Sequence, residues 1–130
     1  MKIMFTFIIL LLSTVATIAQ NSIDELFDKY KSVGDTKFTS VIERDPDTHE
    51  VVKVVKMIES DMISAKTFIK TFEKEEAQAT SANKTTQNNI TSHVLVFETE
   101  KQIRIYSLRY NSTNKYSSIN ASIILKYIKH

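Results

Sequence analysis

The chain has no cysteine, one glycine and one proline in 130 residues. Without cysteine there is no disulfide scaffold, no zinc–thiolate site and no thiol nucleophile. No lipid-modified cysteine can hold the product to a membrane either. The lone glycine, Gly34, leaves little scope for a nucleophile elbow or a phosphate-cradling loop. Histidine is almost as scarce. His49 lies beside a turn, His93 opens a strand and His130 is the last residue, so no two have metal-ligand spacing. An excess of one charge is missing as well. The 17 basic residues face 15 acidic ones, which makes no electrostatic case for nucleic acid or an anionic membrane surface.

One apolar run is present, Ile3 to Leu12, behind Met1-Lys2 and ahead of the small-residue stretch Ser13 to Ala19. That order is the pattern of a secretory signal peptide. Thr17 and Ala19 occupy the small-residue positions before a cut, so residues 1–19 are expected to be removed between Ala19 and Gln20. The rival reading is a membrane anchor. A run of about ten residues is half of the about 20 that span a bilayer, so no stable membrane insertion is expected after cleavage. Residues 20–130 then form a single domain, periplasmic or secreted, that must be held together by its core. A chain of about 110 residues can do this, since it buries well over half of its unfolded surface.

Ser22 with Glu25 reads as a capping box, and Ile23, Leu26, Phe27, Tyr30 and Val33 lie on one helical stripe. A helix is predicted over Ile23–Val33, with Gly34 as its left-handed cap. Lys37 to Glu59 then reads as a β-hairpin. Pro46 fixes φ in the Asp45-Pro46-Asp47-Thr48 turn, and the Asp45 side chain can bond back to the turn amides. The second arm also fits a helical stripe, but four valines within five residues favour a strand. Both of its faces are apolar, which suggests a central strand or one with a bulge.

After a break at Ser60–Ser64 a second helix is expected over 65–79, with Ala65, Phe68, Ile69, Phe72, Glu76 and Ala79 along one side. Thr80–Asn89 is small, polar and unpatterned, and reads as a loop. The last third reads as three strands: His93–Thr99, Gln102–Tyr110 and an alternating run from Ile119 to Tyr127. The middle one changes parity, which a bulge near Tyr106 would reconcile. The order α-β-β-α-β-β-β predicts an α+β fold with one antiparallel sheet of about five strands and two helices.

Candidate sites are few. Asp45, Asp47 and His49, flanked by Glu43 and Glu50, form the densest set of oxygen ligands, yet lack the glycine and distal glutamate of a calcium loop. The sequence points to an ordinary charged turn. Arg104, Tyr106, Arg109, Tyr110 and Tyr116 interleave base and aromatic, the composition of a ligand face for carbohydrate or peptide. Asn83, Asn89, Asn111 and Asn120 each begin an Asn-x-Ser/Thr site, relevant only in a eukaryotic secretory pathway. No catalytic residue, cofactor or metal is expected.

The segments QNSIDELFDKYKSVG, KFTSVIERDP, EVVKVVKMIE and YSLRY, behind a short signal peptide, resemble small exported proteins of unknown function from gut anaerobic bacteria. The resemblance covers nearly all of the mature chain and implies a periplasmic or secreted α+β domain. The helix-plus-hairpin unit is similar to PepSY-type modules, which implies a structural or protease-inhibitor role. Together these lead to a non-catalytic exported domain that binds a protein, peptide or glycan of the cell envelope. The alternative is a small hydrolase using His93 or His49 beside a carboxylate.

Overall fold

A computed structural model describes residues 21–34, 36–61, 63–114 and 118–128. The expected signal segment and its cut, and the residues Met62, Tyr116 and His130, lie outside the described residues. The elements are α1 (Ser22–Tyr30), β1 (Lys37–Arg44), β2 (Val51–Ser60), α2 (Ala65–Glu76), β3 (Ser81–Gln87), β4 (Ile90–Glu98), β5 (Gln102–Asn111) and β6 (Ile119–Tyr127). The strands form one antiparallel sheet in the order β1-β2-β6-β5-β4-β3. The fold is α+β, with six strands where five were expected.

The additional strand is β3, inside the stretch that reads as a loop. All seven of its residues are exposed, because it is an edge strand whose backbone, rather than its side chains, does the pairing. A strand that buries nothing has no apolar alternation to display. Its turn signal is Asn88-Asn89, both at positive φ (53° and 65°), as a two-residue hairpin turn requires.

α1 also begins one residue earlier than predicted. Its cap is Asn21, whose Oδ1 accepts from the Ile23 and Asp24 amides, while the Asn21 amide donates to Asp24 Oδ2 at 3.0 Å. The capping box is therefore Asn21 with Asp24, not Ser22 with Glu25. Ser22 instead ties the helices together: its amide donates to Glu75 Oε2 at 2.7 Å, and its hydroxyl accepts from Lys74 Nζ. α1 ends at Tyr30, before the predicted Val33, which is exposed. Gly34, at φ +39°, turns the chain beyond the helix rather than capping it directly.

α1 packs on α2, and α2 on β4 and β5. Phe27 of α1 meets Phe68 of α2 edge-on at 6.2 Å between ring centroids. These rings, with Ile23 and Phe72, close against Leu95, Leu108 and Ile119 of the sheet. Every buried strand residue lies on this helix-side face. β5 alternates without interruption, since its pairing with both neighbours runs through Tyr106 in unbroken register. There is no bulge there. The parity change reflects two apolar faces: Tyr106, Leu108 and Tyr110 point to the helices, and Ile103 and Ile105 away from them. The register shift in the sheet falls instead at Glu43/Arg44. From β3 to β6 the chain is one continuous four-stranded meander, so the hairpin that follows α2 continues into two further strands where the one that follows α1 does not.

If the Asn88-Asn89 turn sets the β3–β4 register, Asn89→Gly leaves stability unchanged or raises it. Asn89→Val then lowers it by about 1–2 kcal/mol, the usual left-handed penalty for a β-branched residue that lacks the local hydrogen bonding of Asn. Urea unfolding of the two variants checks this.

Candidate functional site

The five residues expected to share a ligand face are divided by the pleat. Tyr106 is fully buried, Tyr110 is buried, and both lie beneath the helix layer with Arg104 on the same face. Arg109 is exposed on the opposite face, and Tyr116 lies outside the described residues. No single surface gathers them, because alternate residues of one strand point to opposite sides.

Arg104 and Tyr106 belong to a partly buried polar cluster centred on Asp24 of α1. Asp24 Oδ2 accepts from the Tyr106 hydroxyl at 2.9 Å and from the Asn21 amide at 3.0 Å. Arg104 Nη1 donates to the Tyr106 oxygen at 3.2 Å and stands 3.7 Å from Asp24 Oδ2. The guanidinium also lies over the Phe97 ring, with Cζ 5.5 Å from the centroid. Burial pushes the Tyr106 phenol well above its usual value, and the Asp24 carboxylate pushes it the same way, while Arg104 acts against them. Tyr106 is thus a neutral donor that links α1 to β5.

Beside this cluster is a cavity of about 300 Å³, lined by Asp24 and Arg104 together with side chains of β2, β5 and β6. A second, of about 420 Å³, is lined by polar groups such as Lys37, Glu59, Arg109 and Asn120 at one end of the open face.

Among the described residues no helix lies on the open face, and none of its described side chains is buried. Across it runs an apolar row set by the strand register: Val41 opposite Val55, Val55 opposite Ile124, Ile124 opposite Ile105, and Ile105 opposite Val96. One neighbouring row is charged, with Glu43, Lys53, Lys126 and Glu98. Lys37, Glu59 and Arg109 stand at the other end. Sequence reasoning did not assemble this row, although its signal was present. β2 and β5 carry apolar residues on both faces, and Ile124 interrupts the polar side of β6, which is the mark of a sheet whose second face is not simply solvated.

His93 is not at a strand edge. It is 1% exposed, with Nε2 2.7 Å from Glu76 Oε2 and its ring 5.8 Å from that of Phe72. This pair fastens the last turn of α2 to β4. His93 lines neither cavity, and the nearby Thr91 hydroxyl is bonded to that of Thr86 at 2.8 Å. His49 sits in the exposed β1–β2 turn at φ 65°. In that turn Asp45 Oδ1 accepts from the Asp47 and Thr48 amides, as the turn chemistry predicts. Among the described residues no three of His, Asp and Glu converge as metal ligands.

Removing the Tyr106 hydroxyl leaves Asp24 and Arg104 each short of a buried partner, so Tyr106→Phe is expected to cost about 1–3 kcal/mol. The raised phenol pKa also fixes a sign. The neutral phenol is favoured in the fold, so its contribution is complete below the unfolded value of about 10 and is lost as pH rises through the higher folded value. Denaturant unfolding at a series of alkaline pH values should show wild-type stability falling above about pH 10, and a shallower fall for Tyr106→Phe.

No curated protein and no solved structure matches the chain. A family model does, over residues 20–122, which take in every element up to the middle of β6. The chain belongs to the family described as Domain of unknown function (DUF5024).

Proposed function

We propose that this protein is a non-catalytic, exported binding module, periplasmic or secreted after cleavage between Ala19 and Gln20, whose open sheet face docks on another protein of the cell envelope. One observation carries the reading. The row Val41–Val55–Ile124–Ile105–Val96 crosses five strands on a face that nothing in the chain's described residues covers.

Four strand spacings of about 4.8 Å make the row about 19 Å long. That is too long for a small sugar or metabolite and suits a protein surface or an amphipathic helix of roughly 13 residues. A charged row on one side of an apolar centre, with Lys37, Glu59 and Arg109 beyond it on the other, is the arrangement of a protein interface, where the centre supplies affinity and the rim supplies orientation. Val41 at 53% and Met57 at 47% exposure stand in water in the isolated chain, and a partner would remove that contact.

The free edges β1 and β3 compete for the same role, since an added strand could pair with either. β3 is composed of Ser, Ala, Asn, Lys, Thr and Gln, and a polar edge with a lysine discourages such pairing. The face is the better surface.

Capture from envelope and culture fractions, read by mass spectrometry, tests this when wild type is compared with Ile105→Asp. The row predicts a partner retained by wild type and lost with Ile105→Asp, whose melting temperature stays within a few degrees of wild type because Ile105 is only partly buried and faces away from the core. A partner retained equally by both chains would refute the docking face, as would no partner at all.

A further inference from the structure

We propose that the cavity of about 300 Å³ on the helix-side face, beside Asp24 and Arg104, binds a small organic carboxylate with an apolar body. It lies on the opposite side of the sheet from the row of the proposed interface, so the two readings stand or fall separately.

The floor comes from the register. Val54 is opposite Leu125, and Leu125 is opposite Arg104; in the next row Lys56 is opposite Ile123, and Ile123 is opposite Tyr106. Apolar side chains thus occupy the centre, with Lys56 rising from β2 on one side and Arg104 from β5 on the other. Two strand spacings across and two residues along, about 12 Å in all, separate their backbones, a distance that two long side chains can close around one anion.

The charge balance favours an anion. Lys56 and Arg104 are opposed only by Asp24 among the charged lining residues, which leaves one net positive charge. Asp24 Oδ2 is moreover taken up by the Asn21 amide and the Tyr106 hydroxyl. Arg104 is held in place by Tyr106 and by the Phe97 ring, so little side-chain entropy is lost when it meets a ligand. Its Nε is buried with no acceptor among the described residues, leaving the guanidinium donor capacity still unmet.

The apolar floor selects for the body of the ligand. Gln102 and the half-exposed Tyr127 close the end where β5 and β6 meet solvent. The volume accommodates roughly ten non-hydrogen atoms, at the lower end for small-molecule pockets. A free phosphate would meet one surplus cation and a hydrocarbon floor, which suits it poorly.

Hexanoate, hexanol, hexylamine and inorganic phosphate are the probes, titrated into the purified full chain and followed by calorimetry. Hexanoate should bind saturably, and the other three about tenfold more weakly or worse. Lys56→Gln and Arg104→Gln should each weaken hexanoate by about tenfold. Lys56 is only partly buried, so its variant keeps the test open even where loss of Arg104 impairs folding. Ile105→Asp, on the other face, should leave hexanoate binding unchanged. Equal binding of hexanol or phosphate, an unaffected Lys56→Gln variant, or no saturable binding of hexanoate would each overturn the assignment.

Discussion

Two helices can cover one face of a sheet and not both. That constraint governs this molecule. α1 and α2, of 9 and 12 residues, stack on each other and on the β4–β5 side of a six-stranded sheet. Leu95, Tyr106, Leu108 and Ile119 are sealed beneath them. Among the described residues nothing layers the other face, yet it carries Val55, Ile105, Ile124 and Val96 in one line. Water contact with that line is unfavourable at roughly 25 cal/mol per Å² of apolar surface. A sheet that needed only to be soluble would place polar residues there, and the proposed docking role rests on that contrast.

The same partial cover explains the half-buried polar cluster. At the margin of the helix layer the core cannot be wholly apolar, because α1 must be fixed against β5 in one register. Asp24 does this with a single carboxylate oxygen, taking the Tyr106 hydroxyl and the Asn21 amide at once. One side chain therefore caps the helix and positions it on the sheet. His93 and Glu76 fasten the end of α2 to β4 in a comparable way. Beyond the Asp24 margin the layer stops, and the cavity beside Lys56 and Arg104 is what remains between helix end and bare strand.

Much of the fold was legible because burial writes itself into sequence period. Ile23, Leu26 and Phe27 face one side of α1, and the β1–β2 hairpin follows from Pro46 and Asp45 acting on a four-residue turn. β4 and β6 show plain alternation. What escaped reading lacked that signal. β3 buries no side chain, so its existence rested on Asn88-Asn89 alone. Asn21 and Ser22 are both good caps, and the choice was settled by Glu75 and Lys74, which reach Ser22 from α2. The interleaved run from Arg104 to Tyr110 resembled one surface because composition does not record the pleat, which sends Arg109 one way and Arg104, Tyr106 and Tyr110 the other. Neither the cavity nor the apolar row could be found from one strand, since each depends on register between strands distant in sequence.

The layering itself can be measured with the chain's own lack of cysteine, which makes any introduced thiol unique. Ile105→Cys and Leu108→Cys place that thiol on the open and the covered face of the same strand. Their rates of modification by a soluble thiol reagent in the native protein are the measurement. The account predicts that Ile105→Cys reacts at close to the rate of the unfolded chain, and Leu108→Cys on the order of a hundredfold more slowly, limited by local opening. Equal rates, or an Ile105→Cys thiol protected in the isolated monomer, would contradict a sheet with one bare face.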